Sequence, residues 1–363
     1  MYFDNELKAL KRASRYRAIE LYDSNIIDLA SNDYLGLAEN KQQLKRAYNL
    51  VKSFDRFAPK ASLLVNGYHP IHQLFEERIA TLNGFESALV VGSGFLANIA
   101  LIEALVRRGD TLFLDSEYHA SGILASRLLE NVVQFTHNSV KDLDEKLRQS
   151  SAKRKIIAIE GVYSMSGDIA PKEIFELANR YNALLIVDEA HSSGTIGKSL
   201  LGIFDYYNLE IKPNYIKMGT LGKAYGSYGA YILSSSEIKE FLINRGKPII
   251  YSTAPSVFDT ALALVNLGYI QKKGIMLARK LQKRRKLVAE ILGIACKSQI
   301  VPIKQPSNKR VKELQKILFN EGFLVGAIRQ PTVEQPIIRL IPRLGVKRRD
   351  LKRALELLKY ADG

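Results

Sequence analysis

Cysteine is almost missing from this chain, which has one, Cys296, in 363 residues. A lone thiol excludes an intramolecular disulfide and a thiolate metal cluster. It points to a reducing compartment, with Cys296 itself read as a small core residue. Uninterrupted apolar runs of membrane-spanning length are missing too. The nearest, Ala88 to Val106, is broken by Ser93, Asn98 and Glu103, and Gly92-Ser-Gly94 would stop a helix there, so it reads as strand, loop and helix. The first twelve residues mix charges among apolar side chains and lack the apolar core of a signal peptide, so the expected location is cytoplasmic. Acidic residues are scarce: 37 Asp plus Glu against 53 Lys plus Arg leave a formal charge of +16. Such an excess attracts polyanions. Nucleic acid, an acidic carrier or coenzyme A, and plain solubility all remain open as its reason. The basic residues gather at Lys272–Lys286, Lys304–Lys312 and Arg339–Arg353 without a nucleic-acid-binding motif around them. Most of the charge therefore reads as solvated surface, with neither nucleic acid nor membrane as a partner.

His69 and His72 tempt a metal reading, but no third ligand of matching spacing accompanies them, so they read as packing and hydrogen-bonding residues and no metal is expected. With 47% apolar residues the chain can bury a large core. The organisation expected is an N-terminal arm over 1–45, a large domain over 46–270 and a small one over 271–363. The arm is read as a charged helix from Asn5 to Glu20 followed by a short strand pair around Ile26 to Leu29. From Phe85 short apolar strands alternate with helices: Ser87–Val91, Thr111–Leu114, Val132–Thr136, Lys155–Glu160 and Ala183–Asp188, with helices over Phe95–Arg107, from Ala120, Val140–Gln149 and Pro171–Tyr181. This alternation predicts an α/β fold with a mainly parallel sheet covered on both faces, whose ligands bind outside the carboxyl ends of the strands. A helix is expected over Ser256–Gln271.

One stretch organises the rest. In Tyr215-Ile-Lys-Met-Gly-Thr-Leu-Gly-Lys-Ala-Tyr-Gly-Ser-Tyr-Gly-Ala-Tyr231 two β-prone runs flank a glycine-rich turn that presents Lys223, with the Thr220 hydroxyl three residues before it. An isolated Gly-Lys-Ala is as ordinary as any surface lysine. Upstream, however, Ala183-Leu-Leu-Ile-Val-Asp-Glu-Ala-His191 reads as a buried strand ending in Asp188, with His191 three residues on. A strand-end carboxylate, a nearby imidazole and a loop amine are what pyridoxal phosphate requires: the carboxylate keeps the pyridine nitrogen protonated and the lysine forms the covalent link. Gly92-Ser93-Gly94-Phe95 follows a strand and opens a helix, so its backbone N–H groups and the helix dipole can hold a phosphate. It lacks the full dinucleotide fingerprint and Lys223 is not in a Walker loop, which argues against nicotinamide and ATP.

Ser31-Asn-Asp-Tyr-Leu-Gly-Leu37, Gly92 to Asn98, Glu160 to Asp168, Val187-Asp-Glu-Ala-His191, Thr220-Leu-Gly-Lys223 and Ala327 to Val333 together resemble the α-oxoamine synthases, pyridoxal-phosphate enzymes of the aspartate-aminotransferase fold (fold type I). The resemblance runs from about Arg15 to Arg339. It implies a large domain with a mainly parallel seven-stranded sheet, a small α+β C-terminal domain, and a homodimer with a shared active site. It assigns His119 to the pyridine face, Ser164 to the cofactor's edge, His191 to its phenolic oxygen, Thr220 to the phosphate cradle and Thr253 to the same phosphate from the other subunit. It brings Arg17 to the distal end of the acyl substrate, where a helix-surface charge is the other reading, and Asn32 to the amino acid. Arg329, read as the end of a strand, could clamp a carboxylate bidentately. The chain departs from the family at Tyr118, at Ser192-Ser193-Gly194 and at Pro342, which interrupts a tail that is usually β-rich.

The reaction implied condenses an amino acid with an acyl thioester and releases carbon dioxide. By resemblance the substrates are L-alanine and a pimeloyl chain on acyl carrier protein or coenzyme A. Glycine-using relatives such as 2-amino-3-oxobutyrate ligase, ordinary aminotransferases and, from another class, a basic nucleic-acid-binding protein remain as alternatives.

Overall fold

The computed structural model describes residues 2–362; Met1 and Gly363, the outermost residues of the expected arm and small domain, lie outside the described residues. The chain divides into two compact units, Leu35–Ser164 with Asp168–Arg279, and Met1–Tyr34 with Met165–Gly167 and Lys280–Gly363.

The first unit is built on a seven-stranded sheet. Its strands lie in the order Ser87–Val91, Ala230–Ser234, Tyr215–Thr220, Leu184–Asp188, Lys155–Glu160, Thr111–Asp115 and Val132–Phe135. Only Ala230–Ser234 runs against its neighbours; the other six share one direction. Strands such as Leu184–Asp188 and Lys155–Glu160 are apolar on both sides because both faces of the sheet are covered, and all their residues after the first are buried. The helix Gly94–Leu105 packs Ala97, Ala100, Leu101, Ile102 and Ala104 into the core beside Leu112, Ile186, Ile216 and Ile232. Each leucine or isoleucine among them contributes about 1.5–3 kcal/mol on burial. Helix starts are fixed by local chemistry, as where Ser139 Oγ accepts from Asp142 N at 3.3 Å and sets the start of Val140–Gln149. This order and direction put Val91, Asp115, Glu160, Asp188 and Thr220 at the carboxyl ends of their strands, with Glu160 in register with Asp188 and Asp188 with Met218.

The second unit has its own core, in which Leu29, Val288, Val311, Leu314, Phe323, Ile338 and Leu351 are buried. Its three-stranded antiparallel sheet runs in the order Gly326–Ile328, Ile337–Leu340, Val301–Lys304, and a short parallel pair joins Ile27–Asp28 to Phe323–Leu324. Helices Asn308–Asn320 and Arg348–Asp362 belong to it.

Four sequence expectations are corrected. The N-terminal helix is Asp4–Arg12, not Asn5–Glu20: it buries no side chain that would stabilise further turns, and Ser14 adopts φ 54°, which ends it. The strand near Ile26 pairs not locally but with Phe323–Leu324. The helix expected over Ser256–Gln271 runs from Val257 to Leu292, 36 residues, because buried Ile270, Leu277, Leu281 and Val288 continue one apolar stripe straight through the basic stretch. Pro342 does not interrupt the tail strand, since Ile337–Leu340 forms fully before it.

Candidate active site

Lys223 sits at the tip of the connection between the antiparallel strands Tyr215–Thr220 and Ala230–Ser234. The connection closes on itself: Leu221 N donates to Gly229 O at 2.8 Å, and Gly226 N to Lys223 O at 2.9 Å. Gly226 has φ 56°, and a Cβ there would stand 2.7 Å from the backbone of Leu37 and Ala38, so only glycine lets the turn pass. Lys223 Nζ lies 2.7 Å from His191 Nε2, so the two groups the sequence singled out are in hydrogen-bond contact. The loop carrying His191 is anchored by Thr195 Oγ1, which donates to His191 O at 2.6 Å, and by the Tyr231 hydroxyl on Ser193 Oγ at 3.0 Å. Its Gly194, at φ 80°, faces Ala224 so closely that a Cβ would stand 2.3 Å from the Ala224 Cβ. Ser192-Ser193-Gly194, a departure in sequence, is thus a tightly packed support beside the lysine.

Asp188 is buried at its strand end, and both its oxygens face N–H donors: Asn98 Nδ2 at 2.8 Å and Ala190 N at 2.9 Å. That is the environment of a carboxylate anion. Across the sheet, Glu160 is buried as well, and burial, then the nearby Asp188 charge, push its pKa far above the usual carboxylate range. Glu160 accepts from Ser164 N at 3.0 Å, which ties the segment after its strand to the strand's end. His119 caps the helix Ala120–Ser126, and burial lowers its pKa, with Asp188 opposing and Lys223 adding to the shift. Ser121 N donates to its Nδ1 at 3.3 Å, a contact that suits an unprotonated Nδ1.

The helix Gly94–Leu105 opens at the cradle the sequence indicated. Ser93 Oγ accepts from Leu96 N at 3.2 Å, while the earlier amides point past the helix start, where anions bind. A Cβ built on Gly94 would lie 3.8 Å from Thr220 Cβ, so the strand leading to Lys223 ends beside this helix. The Thr220 hydroxyl donates to Gly229 O at 3.0 Å and accepts from Gly222 N at 3.3 Å.

Thr253 is exposed, on a bridge to Ser62. Arg17, Asn32 and Arg329 belong to the second unit. Arg17 is exposed and its Nη2 donates to Thr332 Oγ1 at 3.1 Å. Arg329 Nη1 is engaged by Ser14 O at 2.6 Å. The residue holding Asn32 is one the sequence reading passed over: Arg339, 6% exposed, donates from Nη2 to Asn32 Oδ1 at 3.0 Å. Its signal was a lone charge inside Ile337-Ile-Arg-Leu-Ile341. Asn98 and Glu160 were likewise quoted within motifs but given no role. His69 and His72 cap the helix Pro70–Asn83, with Nδ1 of each accepting a backbone N–H and Nε2 of each on a carbonyl, Arg56 O at 3.0 Å and Pro255 O at 2.9 Å.

An amine beside an imidazole, a buried carboxylate held by amides, and a helix start beside a threonine fit pyridoxal phosphate. Gly94, Phe95 and Thr220 would take the phosphate, Asp188 the ring nitrogen and Lys223 the aldehyde carbon.

The chain is similar to known proteins along nearly its whole length. The family model described as aminotransferase class I and II matches residues 24–358. The chain is 47% identical over 363 residues to an 8-amino-7-oxononanoate synthase of Helicobacter pylori, covering 99% of this chain and 97% of the other. It is 36% identical to a putative 8-amino-7-oxononanoate synthase of Aquifex aeolicus, with 98% of each covered. Among solved structures, the 8-amino-7-oxononanoate synthase from Francisella tularensis superposes with TM-score 0.78 at 27% identity, over 93% of this chain and 98% of that one. The serine palmitoyltransferase of Sphingomonas wittichii shares the fold, with TM-score 0.89 at 24% identity over 99% and 97% of the two chains. With this site on this sheet, the chain belongs to the aminotransferase class I and II family, among its pyridoxal-phosphate-dependent α-oxoamine synthases.

Proposed function

We propose that the chain is an 8-amino-7-oxononanoate synthase, joining L-alanine to a pimeloyl thioester with loss of carbon dioxide, in biotin biosynthesis. The observation that carries the chemistry is the Lys223 Nζ to His191 Nε2 contact of 2.7 Å in the same unit as the buried, amide-held Asp188. The 47% identity along nearly the whole chain supports the substrate pair.

When bound, pyridoxal phosphate supplies an electron sink for the pair of electrons left at the amino acid's α-carbon. Asp188 would hold the proton on the ring nitrogen. His119 would cover the ring's face as a neutral imidazole, and Ser164 its edge. Lys223 Nζ would take the α-proton, with His191 at hydrogen-bond distance to orient that amine. In the second unit, Asn32 would meet the amino acid and Arg17 the distal end of the acyl chain. Arg339, buried and turned onto Asn32, is a candidate for the carboxylate clamp beside Arg329, whose guanidinium donates to Ser14 O. Thr253 would reach its phosphate from a second copy in a homodimer.

A screen of amino acids against acyl thioesters, read by product mass and carbon dioxide release, tests this reading. L-alanine with a pimeloyl thioester should lead. Preference for glycine would move the chain to the glycine-using synthases, and keto-acid exchange without thioester would move it to the aminotransferases. Borohydride treatment of the purified enzyme should fix the cofactor on the peptide holding Lys223, and Lys223→Ala should abolish the label. Labelling of another lysine would refute the assignment.

A further inference from the structure

Asn98 lies on the helix Gly94–Leu105, is 1% exposed, and uses its whole side chain in hydrogen bonds to three other residues. We propose that Asn98 is a positioning residue whose one amide fixes both the Asp188 carboxylate and the tautomer of His119. The inference rests on the proposed reading, in which those two groups meet the cofactor ring.

The direction of every bond follows from what each partner can do. A carboxylate only accepts, so the amide edge facing Asp188 Oδ2, at 2.8 Å, must be the nitrogen. Oδ1 then faces the Tyr118 hydroxyl at 2.8 Å, which has to donate. The second amide hydrogen goes to Ser121 Oγ at 2.9 Å. That hydroxyl, having accepted, turns its own hydrogen to His119 Nδ1 at 2.7 Å, and Ser121 N donates to the same nitrogen at 3.3 Å. Nδ1 is thereby an acceptor and the ring proton sits on Nε2. A neutral imidazole suits this arrangement, and burial lowers the His119 pKa in the same sense. The charged or titratable groups around the network are Asp188, Lys223 and Glu160.

Tyr118, the residue that departs from the family pattern, thus orients the amide. Its ring occupies the space over Gly122, where a Cβ would stand 2.1 Å from Tyr118 Cε1. Tyr118 and Ser121 are also fully buried, so water does not compete for these bonds.

The test compares holoenzyme of the wild type with Asn98→Leu, Ser121→Ala and Tyr118→Phe. Ring-nitrogen NMR shifts of the histidines, five in this chain, are followed against pH alongside the cofactor's visible absorption. Wild-type His119 should show an unprotonated Nδ1 and a protonated Nε2. Ser121→Ala, which leaves only the 3.3 Å backbone N–H on Nδ1, should let the other tautomer be populated in part while leaving the absorption titration in place. Asn98→Leu should disturb both and lower kcat about 10- to 100-fold, as outer partners of a site do, with a smaller change in KM. Tyr118→Phe should show a weaker form of the Asn98→Leu pattern. Unchanged His119 shifts in both Ser121→Ala and Asn98→Leu would overturn the proposal. If Asn98→Leu fails to fold, Ser121→Ala decides the tautomer and Tyr118→Phe the absorption. Borohydride labelling of Lys223 in the same wild-type sample separates the two levels. A missing label overturns the reading beneath, while the shifts still decide whether Asn98 and Ser121 set the ring.

Discussion

Lys217 is wholly buried in the strand Tyr215–Thr220, where its amine donates to Asn83 Oδ1 at 2.8 Å and to Leu201 O, and lies 3.6 Å from Glu189 Oε1. Glu189, also wholly buried, accepts from Ile203 N at 2.8 Å and from the Ser192 hydroxyl. Gly202 makes room for it, since a Cβ there would stand 2.0 Å from Glu189 Oε2. Lys217→Met keeps the volume and removes the charge, leaving a buried carboxylate without its cation and Leu201 O and Asn83 Oδ1 without a donor. Breaking a buried pair from one side costs about 3–5 kcal/mol. An unfolding entropy of about 2.1 cal/mol/K per residue over 363 residues amounts to about 0.76 kcal/mol/K, so the Tm should fall by about 4–7 °C. Differential scanning calorimetry at pH 7 reads this directly. The double variant Lys217→Met/Glu189→Gln, which removes both charges, should recover at least half of the loss. Because Glu189 also ties down the loop that carries His191, activity should fall with stability in the single variant and return in the double. If Lys217→Met melts within 1 °C of wild type, or the double variant melts below the single, the pair does not hold this loop and the reasoning fails.

Three more outcomes are expected. Asp188→Asn should keep cofactor binding yet slow turnover about 10²- to 10³-fold, the loss typical of removing one preorganised electrostatic contact; near-normal kcat would exclude Asp188 from the ring nitrogen. Burial pushes the His72 pKa down to about 4. The unfolded chain, near 6.5, therefore takes the proton first, and stability that is full above pH 6.5 is lost as pH falls toward 4, by up to about 3 kcal/mol. Urea unfolding of wild type and His72→Gln at pH 7.5 and 4.5 should show a steeper acid loss in wild type, and equal losses would remove His72 from the account. Lys347, Arg348, Arg349 and Lys352 are exposed at the start of the helix Arg348–Asp362. Reversing their charge should lower kcat/KM for a pimeloyl-carrier-protein substrate, and its salt dependence, more than for pimeloyl-coenzyme A. Insensitivity of the carrier reaction to both salt and reversal would leave these side chains as solvated surface.

The alternation of short apolar runs with helical periods made the sheet legible, because a strand covered on both faces leaves little room for another pattern. Val140–Gln149 and Lys155–Glu160 begin and end at the residues their periodicity marks. The extent of Val257–Leu292 was hidden, since its second half interleaves one apolar stripe with a dense run of lysine and arginine, and charge drew the eye from the stripe. In the candidate site, Lys223, Asp188 and His191 could be picked out by residue type at strand ends. Asn98 could not, because its partner Asp188 is 90 residues away and nothing local marks an amide as anything but a helix-surface group. Arg339 was obscured by Pro342, which looked like a strand breaker and falls just beyond the strand.

The one reversed strand also imposes an order on biosynthesis. Ser87–Val91 has a single partner in the sheet, Ala230–Ser234, 143 residues later in the chain. At roughly 5–20 residues per second, a ribosome takes about 7–29 s to cover that interval. Until then the emerging chain carries an unpaired apolar strand, and the helix start at Gly94 has no Thr220 beside it. The phosphate cradle is thus complete, and Lys223 present to take the cofactor, only after the central hairpin has cleared the exit tunnel, so full cofactor loading is a late event and an early chain depends on protection of that edge.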